Sequence, residues 1–229
     1  MTSRPRRLAR WIARFAAVIV LAGVLYVAWD QATYNFGEVQ HGRIYRSGQM
    51  PAPSLARTVH DHNIKTVLNL RGSNKDAWYT AERTASLEAG ATQIDIAMSS
   101  CIWMSRAQLR TVIETLDTAE YPILIHCQWG AERTGLVSAF AELLRPGATL
   151  ADARAQFSVR YLFVRINDGK IMAEHLDQYE RWLAERGWTH DPARFRQWVA
   201  EGYRPQLPNR EQWPYDPYPL VVISRPKSP

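Results

Sequence analysis

A chain of 229 residues is long enough for one domain with a full core, plus short appendages. Its net charge is +6 and its pI about 9.5, but the basic excess is local: Arg4, Arg6, Arg7, Arg10 and Arg14 all precede the first acidic residue, Asp30. Those five leave 23 of the 28 basic residues against 22 acidic ones, so no basic face for a nucleic-acid backbone is implied and nucleic acid is excluded as a partner.

Residues 1–14 form the basic N-terminus. From Phe15 to Trp29 there is no charge, and extending back to Trp11 adds only Arg14, which sits close enough to the end to snorkel. The stretch 11–29 is just long enough for a helix to cross a bilayer, with Trp11 and Trp29 at the interfaces. A cleaved signal peptide has the same layout, but no small-x-small cleavage site follows the run. The expectation is a single-pass inner-membrane anchor. By the positive-inside rule the N-terminus stays in the cytoplasm and the rest is exported, to the periplasm in a bacterium with an outer membrane.

Beyond the anchor, residues 35–203 are expected to form the main domain. Asn35 to Arg46 reads as a short hairpin, punctuated by Gly37 and Gly42. A helix end leads into a strand at Thr66–Leu70, and a polar helix runs from Asp76 to Ala89, ending at Gly90. Thr92 to Ala97 reads as another strand. Arg106 to Thr118 is amphipathic, with Leu109, Val112, Ile113 and Leu116 on one face and Ser105 as its N-cap. Tyr121–Ile125 is an apolar strand and Leu136–Leu144 a helix. Further helices are expected over 149–157, 171–185 and 192–200. Strands alternating with helices predict an α/β domain with a mostly parallel central sheet flanked by helices. The segment 204–229 holds seven of the 13 prolines and reads as an extended tail, whose Trp213, Tyr215 and Tyr218 offer aromatic packing.

Between strand and helix lies His126-Cys127-Gln128-Trp129-Gly130-Ala131-Glu132-Arg133-Thr134-Gly135. A strand, a tight loop and a helix N-terminus form an anion cradle, because loop amides and the helix dipole converge on one point. A cysteine on its floor is expected as a thiolate nucleophile, and an arginine on its rim can fork onto two phosphate oxygens.

The loop resembles the signature of the protein tyrosine phosphatase superfamily: Cys, five residues, Arg, then Ser or Thr. Tyr45-Arg46-Ser47-Gly48-Gln49 and Ile64 to Gly72 resemble the opening segments of its dual-specificity-like branch, which includes bacterial tyrosine phosphatases and some inositol-phosphate and phosphoinositide phosphatases. Cys127 lies mid-chain, unlike the cysteine of low-molecular-weight tyrosine phosphatases. The resemblance implies hydrolysis of phosphate monoesters through a phosphocysteine, with phosphotyrosine proteins as leading substrates and small phosphate esters such as inositol phosphates as rivals. It implies that Arg133 holds the transition state, that Thr134 assists the leaving thiolate and that His126 orders the loop. Gln128, Trp129, Gly130, Ala131 and Gly135 would complete the cradle, with Arg46 and Arg71 adding positive potential near it. No cofactor or metal is expected, since the histidines at 41, 60, 62, 126, 175 and 190 are scattered.

The general acid is harder to place. Relatives carry an Asp on a loop about thirty residues before the cysteine, where this chain has Met98-Ser99-Ser100-Cys101. Glu132, beside the arginine, is the leading candidate, Asp95 the alternative, and Asp168 in the turn Asn167-Asp168-Gly169 a third. The missing upstream acid also motivates a different reading, a catalytically weak phospho-binding module. Cys101 is read as inert, with a reversible bond to Cys127 as the alternative.

Overall fold

The computed structural model describes the backbone of residues 4–212 and 219–226 and the side chains of residues 8–211 and 219–226. Trp213, Tyr215 and Tyr218 lie outside the described residues. The chain divides into two units, Met1–Thr33 and Tyr34–Pro229.

The first unit is one helix, α1 (Arg4–Ala32). Within its segment Leu8–Ala32 an 18-residue window has a mean hydropathy of 2.1 and holds no buried residue. By length and composition it can cross a bilayer, a property that signal sequences share.

The second unit is a six-stranded sheet covered by helices. In chain order its elements are β1 (Gly37–Gln40), β2 (Ile44–Ser47), α2 (Ala52–Asp61), β3 (Thr66–Asn69), α3 (Ala77–Glu88), β4 (Thr92–Ile96), α4 (Arg106–Thr118) and β5 (Ile123–His126). They continue with α5 (Glu132–Leu144), α6 (Leu150–Ala155), α7 (Asn167–Ala184), α8 (Pro192–Gln197) and β6 (Val221–Ser224). The strand order is β1-β2-β5-β3-β4-β6. The four inner strands are parallel, while β1 and β6 close the edges antiparallel.

β5 sits between β2 and β3 with helices on both faces, which is why Ile123, Leu124 and Ile125 form an unbroken apolar run and are all fully buried. Replacing any one with Ala would remove about 2–5 kcal/mol of packing. On α4 the expected face is the buried one, and Ser105 caps the helix: its Oγ accepts from the Gln108 amide at 3.0 Å while Gln108 Oε1 accepts from the Ser105 amide.

Two expectations are corrected. The C-terminal segment is not only an extended tail, because β6 pairs with β4 from Gln93↔Ser224 to Ile96↔Val221. Val221-Val222-Ile223 has the β-branched character of an edge strand, a signal that the surrounding prolines outweighed. Second, Asn167-Asp168-Gly169 is no turn but the first turn of α7. Gly169 is obligatory there, since a Cβ would meet the Val164 carbonyl at 2.2 Å.

Candidate active site

The parallel strands point their carboxyl ends to one edge of the sheet, where the loop after β5 emerges. Cys127 follows the last residue of β5 and is 1% exposed, so its sulfur lies on the floor of the loop. The loop ends in α5, which begins at Glu132 and carries Arg133 and Thr134 in its first turn.

What shapes the loop is the outward turn of its carbonyls. The Gln49 amide donates to Gln128 O at 3.1 Å, Asn35 Nδ2 to Trp129 O at 3.0 Å and Arg46 Nη2 to Gly130 O at 2.7 Å. With three successive carbonyls held by outside donors, the peptide planes leave their N–H groups for the centre, the geometry of an anion-binding nest. Gly130 is required twice over: its φ is +74°, and a Cβ would stand 2.6 Å from the Gly48 amide nitrogen. Gly135 lets α5 approach the chain after α6, where a Cβ would be 3.1 Å from Gln156 O.

Arg46 is fully buried under this loop, not aimed into the cradle. Its Nη1 donates to the Gln156 carbonyl at 2.8 Å and to Gln156 Oε1 at 2.9 Å, and its guanidinium stacks 3.6 Å from the Tyr161 ring centroid. It braces the loop against the 156–161 segment, and Asn35 does the same from the other side by donating also to Tyr161 O at 3.0 Å. The sequence reading overlooked Asn35. Its one signal is a left-handed φ of 51°, which Asn tolerates but sequence does not display.

The electrostatics favour a thiolate. Burial pushes the Cys127 thiol up, but the Arg133 charge, the Thr134 hydroxyl and the backbone amides of Thr134 and Gly130 outweigh it and hold the pKa below the ordinary thiol value. Beneath it, His126 Nε2 lies 3.3 Å from Glu82 Oε1, both side chains being almost fully enclosed. Burial opposes the imidazolium, yet the charge and hydrogen bond of Glu82, with Cys127 behind them, raise the His126 pKa. Glu82 was also missed, because a carboxylate on a polar helix reads as solvated.

Around the rim, Arg133 Nη1 donates to Met98 O at 3.2 Å, while its Nε is buried without a partner among the described residues. Arg71 stacks 3.6 Å from the Trp78 ring centroid and hydrogen-bonds Gln49. Burial first and the Arg133 charge second lower its pKa, so the two guanidinium groups lie close enough to repel. The Trp129 indole is 56% exposed beside the loop. Glu132 is half-buried at the start of α5.

Asp95 is not at the mouth. It is 1% exposed, and its carboxylate accepts from Asn69 Nδ2 at 2.8 Å, Gln93 Nε2 at 2.9 Å and the Tyr79 hydroxyl at 2.8 Å. Burial raises its pKa, but the network keeps it inside the core, and its place in β4 directs it there. Cys101 is exposed and its sulfur lies 3.1 Å from Ser99 Oγ; both cysteines are free.

A buried cysteine with a lowered pKa in a carbonyl-outward loop, closed by an arginine on the following helix and set at the carboxyl edge of a parallel sheet, defines a cysteine-dependent phosphatase of the tyrosine phosphatase type. The model of one such family, described as "DSP-PTPase phosphatase fused to NAD+ Kinase", matches residues 9–174, and the chain belongs to that family. Solved structures share the fold. TpbA of P. aeruginosa, as a Cys-to-Ser variant in complex with phosphotyrosine, is 21% identical with a TM-score of 0.54, covering 74% of this chain and 93% of its own. A second TpbA structure is 21% identical with a TM-score of 0.51, covering 64% and 88%. The catalytic core of the PP-IP phosphatase SIW14 of S. cerevisiae, in complex with citrate, is 21% identical with a TM-score of 0.49, covering 67% and 93%. No curated protein matches the sequence.

Proposed function

We propose that this phosphatase hydrolyses aryl phosphate monoesters, phosphotyrosine in proteins foremost, through a phosphocysteine on Cys127. One observation carries the reading: the buried Cys127 thiol is held below its ordinary pKa inside a nest of inward amides. The thiolate attacks phosphorus, and the S–P bond forms as the bond to the leaving oxygen breaks in line. Arg133 and the loop amides hold the equatorial oxygens, whose charge is greatest in the transition state. Thr134 steadies the sulfur as thiolate when water later releases inorganic phosphate. The exposed Trp129 offers a flat wall to an aromatic ring, and the TpbA variant holds phosphotyrosine.

A second reading rests on Arg71. A guanidinium close enough to Arg133 to feel its charge suits a substrate with a further phosphate, as in an inositol phosphate. We assign α1 as the membrane anchor of either enzyme, with the catalytic unit outside the cytoplasm.

The test is phosphate release by the full chain in detergent from phosphotyrosine peptides, phosphoserine peptides and inositol phosphates, with Cys127→Ser as control. Cys127-dependent release from the tyrosine peptides alone supports the first reading. Preference for inositol phosphates supports the second, and binding of phosphate esters without release points to a phospho-binding module.

A further inference from the structure

In-line attack by Cys127 places the leaving oxygen opposite the sulfur, toward the mouth of the cradle, so the acid that protonates it must stand at the mouth. The carboxyl of Asp95 is enclosed and fully bonded, and is therefore out of reach. The segment that overhangs Arg133 is 98–101, since Met98 O accepts from the arginine, yet it carries no carboxylate of its own.

The fold supplies one from another element. Asp168, in the first turn of α7, accepts a hydrogen bond at Oδ2 from Ser100 Oγ at 2.9 Å. Only Ser99 separates Ser100 from Met98, whose carbonyl holds Arg133. The contact is not a chance meeting of side chains, because α7 grips the same segment a second time. His175 lies seven residues after Asp168, on the same face of the helix. Its Nε2 accepts from the Met104 amide at 3.4 Å, and the Trp103 indole stacks on its ring with centroids 4.3 Å apart. Burial lowers the His175 pKa to about 4, so the imidazole is neutral and keeps that acceptor. At the other end, the close approach of Gly169 to the Val164 carbonyl fixes where the helix begins. The position of Asp168 is therefore set by three packed contacts.

Glu132 is the competing carboxyl. It precedes Arg133 on α5, and adjacent helical residues point about 100° apart, so a helix that turns Arg133 onto Met98 turns Glu132 away from that overhang. Asp168 has one oxygen held by Ser100 and Oδ1 without a bond to the described residues, as a positioned acid requires.

We propose that Asp168 is the general acid of this enzyme, delivered by α7 to the segment that overhangs the phosphate loop. The proposal rests on the phosphocysteine reading. In the first step the Asp168 carboxyl gives its proton to the leaving oxygen as the P–O bond breaks, yielding the alcohol, the carboxylate and phosphocysteine. In the second, the carboxylate takes a proton from water as its oxygen attacks phosphorus, and the S–P bond breaks to return inorganic phosphate and the thiolate.

The test is the dependence of rate on leaving group in the full chain, for wild type, Asp168→Asn and Glu132→Gln. p-Nitrophenyl phosphate leaves well without a proton; phenyl phosphate and phosphoserine do not. Asp168→Asn keeps an acceptor for Ser100, and its folding is checked by thermal unfolding. The expected result is a loss of about 10²-fold or more on phenyl phosphate, with less than about tenfold on p-nitrophenyl phosphate. The fall in kcat with rising pH is expected to disappear with phenyl phosphate in the same variant. Equal loss on all esters, or a leaving-group-selective loss in Glu132→Gln instead, overturns the assignment. A wild type that releases no phosphate from any ester overturns the phosphocysteine reading itself, and is distinguished because the defect then precedes any substitution.

Discussion

Glu82 Oε1 stands 3.3 Å from Nε2 of His126, the residue before Cys127, in an interior where the two side chains are 1% and 3% exposed. The pair ties α3 to the end of β5, immediately before Cys127, and raises the His126 pKa beside it. Neither residue touches the phosphate cradle from its open side, so their effect on reactivity runs through the thiol.

Glu82→Gln removes the charge that raises the His126 pKa. Burial then dominates and lowers the His126 pKa, and the pKa of the Cys127 thiol, which interacts with that imidazole, is expected to rise with the loss of positive charge. The alkylation rate of Cys127 by iodoacetamide, followed against pH, should shift to higher pH by about one unit. The stability sign is defined by the raised His126 pKa. Its contribution is complete below the ordinary imidazole value of about 6.5 and is lost as pH rises through the raised one. The unfolding free energies of wild type and variant should therefore differ most in mild acid and converge at alkaline pH. A gap that widened with pH would show that His126 is not the group responsible.

Arg46→Lys keeps a cation but loses the fork that reaches Gly130 O and Gln156 together. The unbraced loop should cost about 10²-fold in kcat/KM, because a small displacement of aligned amides is amplified in rate. Asn35→Ala frees the Trp129 carbonyl and should cost less, about tenfold. Vanadate or phosphate affinity should fall in parallel in both variants. Unchanged anion affinity would mean that the loop is shaped without them.

Gly130→Ala forces a side chain into a positive φ and against the 47–48 backbone. The strain should destabilise the fold by about 1–3 kcal/mol and abolish Cys127-dependent turnover. Denaturant unfolding measures the first and phosphate release the second. A fully active, equally stable variant would contradict the loop geometry.

Trp129→Ala removes an exposed wall beside the cradle. KM for aryl phosphates should rise several-fold while kcat holds, since uniform binding is lost and the reacting atoms are untouched. Alkyl phosphates should be unaffected. An equal rise for both classes would point to altered loop shape instead.

The structure also shows how unevenly the chain advertises itself. Cys127, Arg133 and the strand and helix around them are legible because the chemistry is local: ten consecutive residues make the turn, the nest and the helix N-terminus. The parallel core is legible for a similar reason, since Ile123 to Ile125 must be buried on both faces and can only be apolar. The anchor-like α1 follows from composition alone.

What acts at a distance along the chain took its place only from the fold, including Arg46 and Asp168, which the sequence named without placing. Asn35 and Arg46 brace a loop more than 80 residues away, Glu82 charges a histidine 44 residues on, and Asp168 reaches Ser100 across 68. Each is a polar residue whose sequence context describes a solvated surface, and nothing local says that it is buried or aimed. β6 was obscured in the same way, because strand pairing with β4 joins segments far apart and the prolines around it were the stronger local signal. Short-range stereochemistry is written in neighbouring residues, so the sequence by itself determined the loop with its cysteine and arginine and the class of fold. Which carboxylates lie in the core, which one meets the 98–101 segment and which donors shape the loop depended on long-range contacts, and those only the tertiary structure decided.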